Sequence, residues 1–170
     1  MQDIENTYEN AYKTLIYQLQ RAIDNGDIVA IRDTAFLVNL HHLCYQETDE
    51  YSGRKVTKPI TVYAAEHAST EVMNFLIEEG CDINARDSFG NTALMIAVAE
   101  ERMDMIQFLI HQPAIQTDVQ NYYGETIFSI ARLNNNANII NYLKTWLPMT
   151  DIQGNPIPEL VELHNGKLII

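Results

Sequence analysis

Residues 87–109 read DSFGNTALMIAVAEERMDMIQFL, and nearly every feature of this stretch recurs before and after it at one interval. Ala64, Ala97 and Ala131 are separated by 33 and 34 residues. The same two steps link Phe75, Phe108 and Tyr142, then Leu76, Leu109 and Leu143, then Met73, Ile106 and Ile140. Four registers in agreement define an internal repeat. A fixed period of this length belongs to stacked architectures, in which each unit buries its apolar face only against its neighbours.

Within the unit, Gly90 precedes Thr92, and Gly124 precedes Thr126 after Asn121, Tyr122 and Tyr123. Glycine supplies a positive-φ turn residue, and a threonine beside the first helical turn can cap its orphan amides, so the order is turn, then helix. The first helix is rich in small residues (Ala93, Ala97, Ala99), and the second places Met105, Ile106, Leu109 and Ile110 on one face. These residues resemble the ankyrin repeat, whose pattern runs D-x-x-G-x-T-P-L-H-x-A-A and closes on L-L-x-x-G-A-D-V-N. DSFGNTALMIAVA lines up with the first half, and FLIEEGCDINARD, residues 75–87, with the second. The family's proline and histidine are missing from both clear copies, which read TALMIA from Thr92 and TIFSIA from Thr126. The resemblance covers residues 59–147 firmly and implies an all-α fold: an ankyrin-repeat solenoid of stacked helix-turn-helix units with helical caps at both ends.

With 170 residues and 46% hydrophobic composition, one domain spanning 1–170 is the expectation. Residues 1–47 read as an N-terminal helical cap pair broken at Gly26. Its first helix carries an apolar stripe at Ile4, Tyr8, Ala11, Tyr12, Leu15, Ile16, Leu19, Ala22 and Ile23. Residues 48–86 read as a repeat with an inserted finger loop, because Gly53 to Ala64 spans eleven residues where Gly90 to Ala97 spans seven. Residues 87–120 and 121–150 are two further repeats. Residues 151–170 read as a C-terminal cap, with Pro158 opening a short helix and Gly166 closing it. Cys44 falls in an expected helix, and the inserted loop holds Arg54, Lys55 and Lys58, either a contact loop or a solvated one neutralised by Glu47, Asp49 and Glu50.

Eleven basic against 23 acidic side chains give a formal charge of −12. Phosphate neutralisation needs a basic stripe that this chain lacks, so no nucleic-acid role is expected, and a protein with a basic surface is the more natural partner. No apolar run approaches bilayer length, and no membrane association is expected. Two cysteines without CxxC spacing, and no signal-like segment, point to a cytoplasmic, reduced setting, with export into a host cell as the alternative. None of the compact catalytic signatures occurs, and His41, His42 and Cys44 do not have ligand spacing. No enzyme, cofactor or metal site is therefore expected.

The resemblance implies recognition through the fingertips and the exposed side of each first helix. Carried over position by position, one fingertip holds Arg86, Ser88, Phe89 and Asn91, and the next holds Gln120, Tyr122, Tyr123 and Glu125. Glu66, His67, Glu100 and Asn134 extend the same concave side. Exposed aromatics are typical binding anchors; the alternative is that they fold against the neighbouring finger. Asn84 resembles a loop asparagine that hydroxylases modify in the family, or simply closes its loop by hydrogen bonds. The apolar end, Leu168 to Ile170, is similar to effector tails or docks on the last repeat. The expected function is a monomeric, non-catalytic protein-binding module. The alternatives are a secreted bacterial effector using the same surface, and a structural subunit of a larger assembly.

Overall fold

The computed structural model describes residues 2–48 and 53–147. The expected C-terminal cap and the Leu168–Ile170 tail lie outside the described residues, as do Asp49 and Glu50. Eight α-helices follow one another among the described residues: α1 (Gln2–Asn25), α2 (Ile28–Ala35), α3 (Ile60–His67), α4 (Thr70–Glu78), α5 (Ala93–Ala99), α6 (Met103–Ile110), α7 (Ile127–Leu133) and α8 (Ala137–Trp146). Two strands, β1 (Cys44–Thr48) and β2 (Lys55–Pro59), stand between α2 and α3. The helices pair in sequence order, and their first members stack as α1, α3, α5 and α7.

The repeat registers are the packing registers. Ala64, Ala97 and Ala131 are fully buried, and their lack of bulk lets successive first helices approach closely. Leu76, Leu109 and Leu143 are likewise sealed, each burial contributing about 2 kcal/mol. Side chains start the first helices of the two later repeats. Thr92 Oγ1 accepts from Met95 N at 3.4 Å, and Thr126 with Ser129 forms a reciprocal capping box. After α4 the chain turns at Gly80, where Gly80 N donates to Ile77 O and Cys81 N to Leu76 O, a paired C-terminal motif that requires the left-handed φ of +85°. Between α5 and α6 and between α7 and α8 the left-handed residue is Glu101 (φ 55°) and Asn135 (φ 53°), with no glycine present.

Among the described side chains of the α1 stripe, Leu15 and those after it pack, while Ala11 and Tyr12 are exposed. Leu19, Ala22 and Ile23 reach the core, and Tyr63 of α3 binds the polar edge beside them. Its Oη donates to Asp24 Oδ1 at 2.7 Å and accepts from Gln20 Nε2 at 2.9 Å. The second cap helix ends at Ala35, well short of residue 47, where the cap pair was expected to end. Beyond it Val38, Leu40, Leu43 and Tyr45 are buried at uneven spacings of two, three and two residues, with exposed residues between them, a pattern that a helical face does not give. That segment forms a 3-10 turn over Leu40–His42 and then β1, so Cys44 lies in a strand, where a helix was expected.

The inserted finger loop expected at the start of the 48–86 repeat belongs to a β-hairpin. β1 and β2 pair antiparallel, with Tyr45 opposite Lys58 and Glu47 opposite Val56. The hairpin is anchored by Tyr45, whose ring lies 4.5 Å from that of Tyr63, and by buried Val56. His41 ties the same segment to the first repeat: its Nδ1 is 2.9 Å from Gly80 O, and its ring fills the space a Cβ on residue 80 would take.

Candidate functional site

The fingers are joined edge to edge through the backbone. Ser88 N donates to Thr57 O at 3.1 Å, Thr57 N donates to Ser88 Oγ at 2.7 Å, and Tyr122 N donates to Phe89 O at 2.9 Å. Each of the two later fingers is built around one short polar side chain. Asp87 Oδ1 accepts from Phe89 N and Asn91 N, both at 2.8 Å, and Asp87 Oδ2 accepts from Asn91 Nδ2 at 3.1 Å. Asn121 repeats the arrangement with Tyr123 N and Glu125 N, and its Nδ2 donates to Asn91 Oδ1 and Glu125 Oε2. Asn91 and Glu125, expected as contact residues, therefore hold the fingers' own network.

The fingertip aromatics differ from one another. Phe89 is half-buried and lies 6.1 Å from the Tyr123 ring at a tilt of 36°. Tyr122 and Tyr123 stay 70% and 67% exposed, although the Tyr122 ring rests on Gly90 of the preceding finger. Arg86 reaches along the tips, its Nη1 donating to Gln120 O at 2.8 Å, and Gln120 itself is exposed. Asn134 Nδ2 donates to Ala99 O at 2.7 Å and Val98 O at 3.3 Å, closing the end of α5. The Asn84 side chain ties its loop to the one after α6, donating to Ala114 O and accepting from Gln116 N, where closure of its own loop was the expectation.

Glu66, Phe89, Asn91 and Glu100 come together, joined by residues that the sequence reading did not place at the contact surface. They line a cavity of about 180 Å³ beneath the hairpin, with Glu47, Val56 and Lys58 above and Ile96 and Asp87 alongside. Lys58 Nζ bonds Glu47 Oε2 at 2.8 Å and also Glu66 Oε2. Burial alone would lower the Lys58 pKa, but the two carboxylates outweigh it and hold it above the ordinary value. Of the basic loop residues, Lys58 is thus neutralised by Glu47 and Glu66. Glu100 stands exposed at the rim. His67 is exposed, its ring stacked at 4.5 Å on Tyr63 and its Nε2 3.6 Å from Glu66 Oε1.

The arrangement positions groups for contact; its polar side chains bond one another and the backbone. Burial, with Glu79 adding to it, pushes the Cys81 thiol up to about 11, far from the range of a reactive thiolate. Tyr45 and Tyr63 are pushed up as well, foremost by burial, and stay neutral phenols. Among the described residues no group of three or more His, Cys, Asp or Glu side chains is placed to hold a metal. Among them, too, no helix is long and apolar enough to cross a membrane.

A family profile described as ankyrin repeats in three copies matches residues 61–152. I-Kappa-B like protein G1 of Microplitis demolitor bracovirus is 29% identical over 96 residues, 56% of this chain and 54% of that protein. E3 ubiquitin-protein ligase XBAT33 of Arabidopsis thaliana is 31% identical over 104 residues, 61% of this chain and 20% of that protein. Putative ankyrin repeat protein R837 of Acanthamoeba polyphaga mimivirus is 25% identical over 103 residues, 61% of this chain and 15% of that protein. The matched region spans about half the length of the first relative and a fifth or less of the other two.

Proposed function

The chain belongs to the ankyrin-repeat family, and on that premise we propose that it is a non-catalytic module that holds one protein partner against its fingertips and the cavity beneath the hairpin. Such repeats generally mediate protein–protein interaction. The observation that carries the reading is the pair of tyrosines, Tyr122 and Tyr123, held largely exposed on a network that fixes their backbone. Rigid aromatic anchors lose little entropy on binding, and a stiff stack keeps them at fixed spacing from Glu100. The partner offers a basic surface. Glu47, Glu66 and Glu100 stand around the cavity with Lys58 as the one resident cation among its lining residues, and the whole chain carries −12.

The test is affinity capture with the intact protein and with a Tyr122→Ser, Tyr123→Ser, Glu100→Lys variant whose circular dichroism matches it. A partner held by the intact bait, released by salt and lost from the variant, supports the reading. Retention of the same proteins by both baits moves binding off this surface and ends it.

A further inference from the structure

We infer that the outer edge of β1 pairs with the same edge of a second copy of this chain, making an antiparallel dimer about a twofold axis at Gln46. The hairpin register couples residues whose numbers sum alike, Cys44 with Pro59 and Glu47 with Val56. Ile60 N donates to Leu43 O at 3.1 Å, and this pair extends the same register. In an antiparallel ladder, bonded and non-bonded pairs alternate, so Tyr45 and Glu47 turn their backbone groups inward to β2. Cys44, Gln46 and Thr48 therefore turn theirs outward. The same alternation turns Thr57 outward on β2, and there it bonds Ser88 of the next finger.

The ladder of fingers is thus continued on the β2 side and open on the β1 side. It runs in the order of the helix stack, so its open edge lies at the α1–α2 end. Among the described residues, no group outside the hairpin bonds the outward donors and acceptors of β1. Exposed edges are commonly protected by charge, proline or a bulge; β1 has no proline and pairs with β2 in unbroken register, and its single charge, Glu47, is turned inward. The side chains of Cys44, Gln46 and Thr48 are exposed and uncharged, while Glu47 lies under the hairpin on Lys58. The end is also apolar: Phe36 is 93% exposed, and Val29 and Leu37 are exposed with it. A second copy satisfies the edge completely. With Gln46 opposite Gln46 and Cys44 opposite Thr48, every outward N–H and C=O of both strands is paired, which is the self-complementarity a twofold contact requires. The proposal departs from the monomer expected from sequence.

Sedimentation velocity of the full chain, up to about 200 µM, tests the proposal by mass action. A reversible dimer is expected, strengthened by sodium chloride because two acidic copies repel. Gln46→Pro removes an outward donor that the hairpin does not use, and should weaken the dimer at least about tenfold while circular dichroism and Gln46→Thr stay like the parent. Opposed residues of a bonded pair have Cα atoms about 5.5 Å apart, within disulfide reach. A Cys44→Ser, Gln46→Cys protein should therefore oxidise to a linked dimer, and Cys44→Ser, Thr48→Cys should not. Monomer throughout, a dimer indifferent to Gln46→Pro, or equal linkage at 46 and 48 overturns the proposal.

Discussion

The finger before α3 and the fingers before α5 and α7 solve one problem, how to turn the chain tightly between stacked helix pairs, by different means. The later two are held by single side chains, Asp87 and Asn121, each accepting from the amides two and four residues on. The first is held by paired backbone in a hairpin. A side-chain clasp is compact and leaves the tip short, so that Tyr122 and Tyr123 are displayed on a fixed base. A backbone clasp lengthens the finger, and the hairpin then roofs the cavity that Glu66 and Glu100 border from the helices.

The hardest blow to this contrast is Asp87→Ala. It leaves two amides of a buried turn without an acceptor and should cost about 3 kcal/mol in urea unfolding. Asp87→Asn should cost less, about 1 to 2 kcal/mol: its amide oxygen can serve the two backbone amides as at Asn121, but its Nδ2 meets the Asn91 Nδ2 that Asp87 Oδ2 accepts from. If asparagine proves as costly as alanine, charge holds the second finger and the two clasps are not equivalent.

Glycines at the two kinds of tip come next. A Cβ on Gly90 would lie 2.8 Å from Tyr122 Cδ1 and 2.9 Å from Tyr122 N, whereas one on Gly53 meets nothing within 4 Å. Both have left-handed φ, so Gly53→Ala should cost about 1 kcal/mol and Gly90→Ala at least about 2 kcal/mol. Equal losses in thermal unfolding would mean that the seam between fingers yields easily.

These differences also decide what could be read in advance. The helices of the repeats were legible because their apolar registers recur, and Ala64, Ala97 and Ala131 fall where close packing demands a small side chain. Glu66, Phe89, Asn91 and Glu100 could be placed beside one another by repeat position alone. The hairpin could not. Each of its strands offers one buried aromatic or aliphatic side chain, Tyr45 or Val56, and five residues of alternation are too few to separate a strand from a loop. Glu47 and Lys58 were legible as a charge pair of the inserted loop, but not as the residues that complete the cavity, because their place there depends on the hairpin. Asn91 and Glu125 were legible as fingertip residues, but their bonds depend on Asn121 and Asp87 meeting them across the turns.

The smallest expected effect sharpens the hairpin side. Tyr45 Oη is buried with no partner, so Tyr45→Phe keeps the ring contact with Tyr63 and removes a desolvated hydroxyl. A gain of about 0.5 to 1 kcal/mol is expected in thermal unfolding. A clear loss would show that the hydroxyl is bonded in solution.

The clasp of Tyr63 on Asp24 and Gln20 has a bearing on how the chain is made. Asp24 leaves the ribosome 39 residues ahead of Tyr63. At ordinary speeds of translation this delay lasts roughly two to eight seconds. Throughout it the seam of Leu19, Ala22 and Ile23 lacks the α3 side chains that complete its core, and nascent-chain chaperones would find their target in that interval.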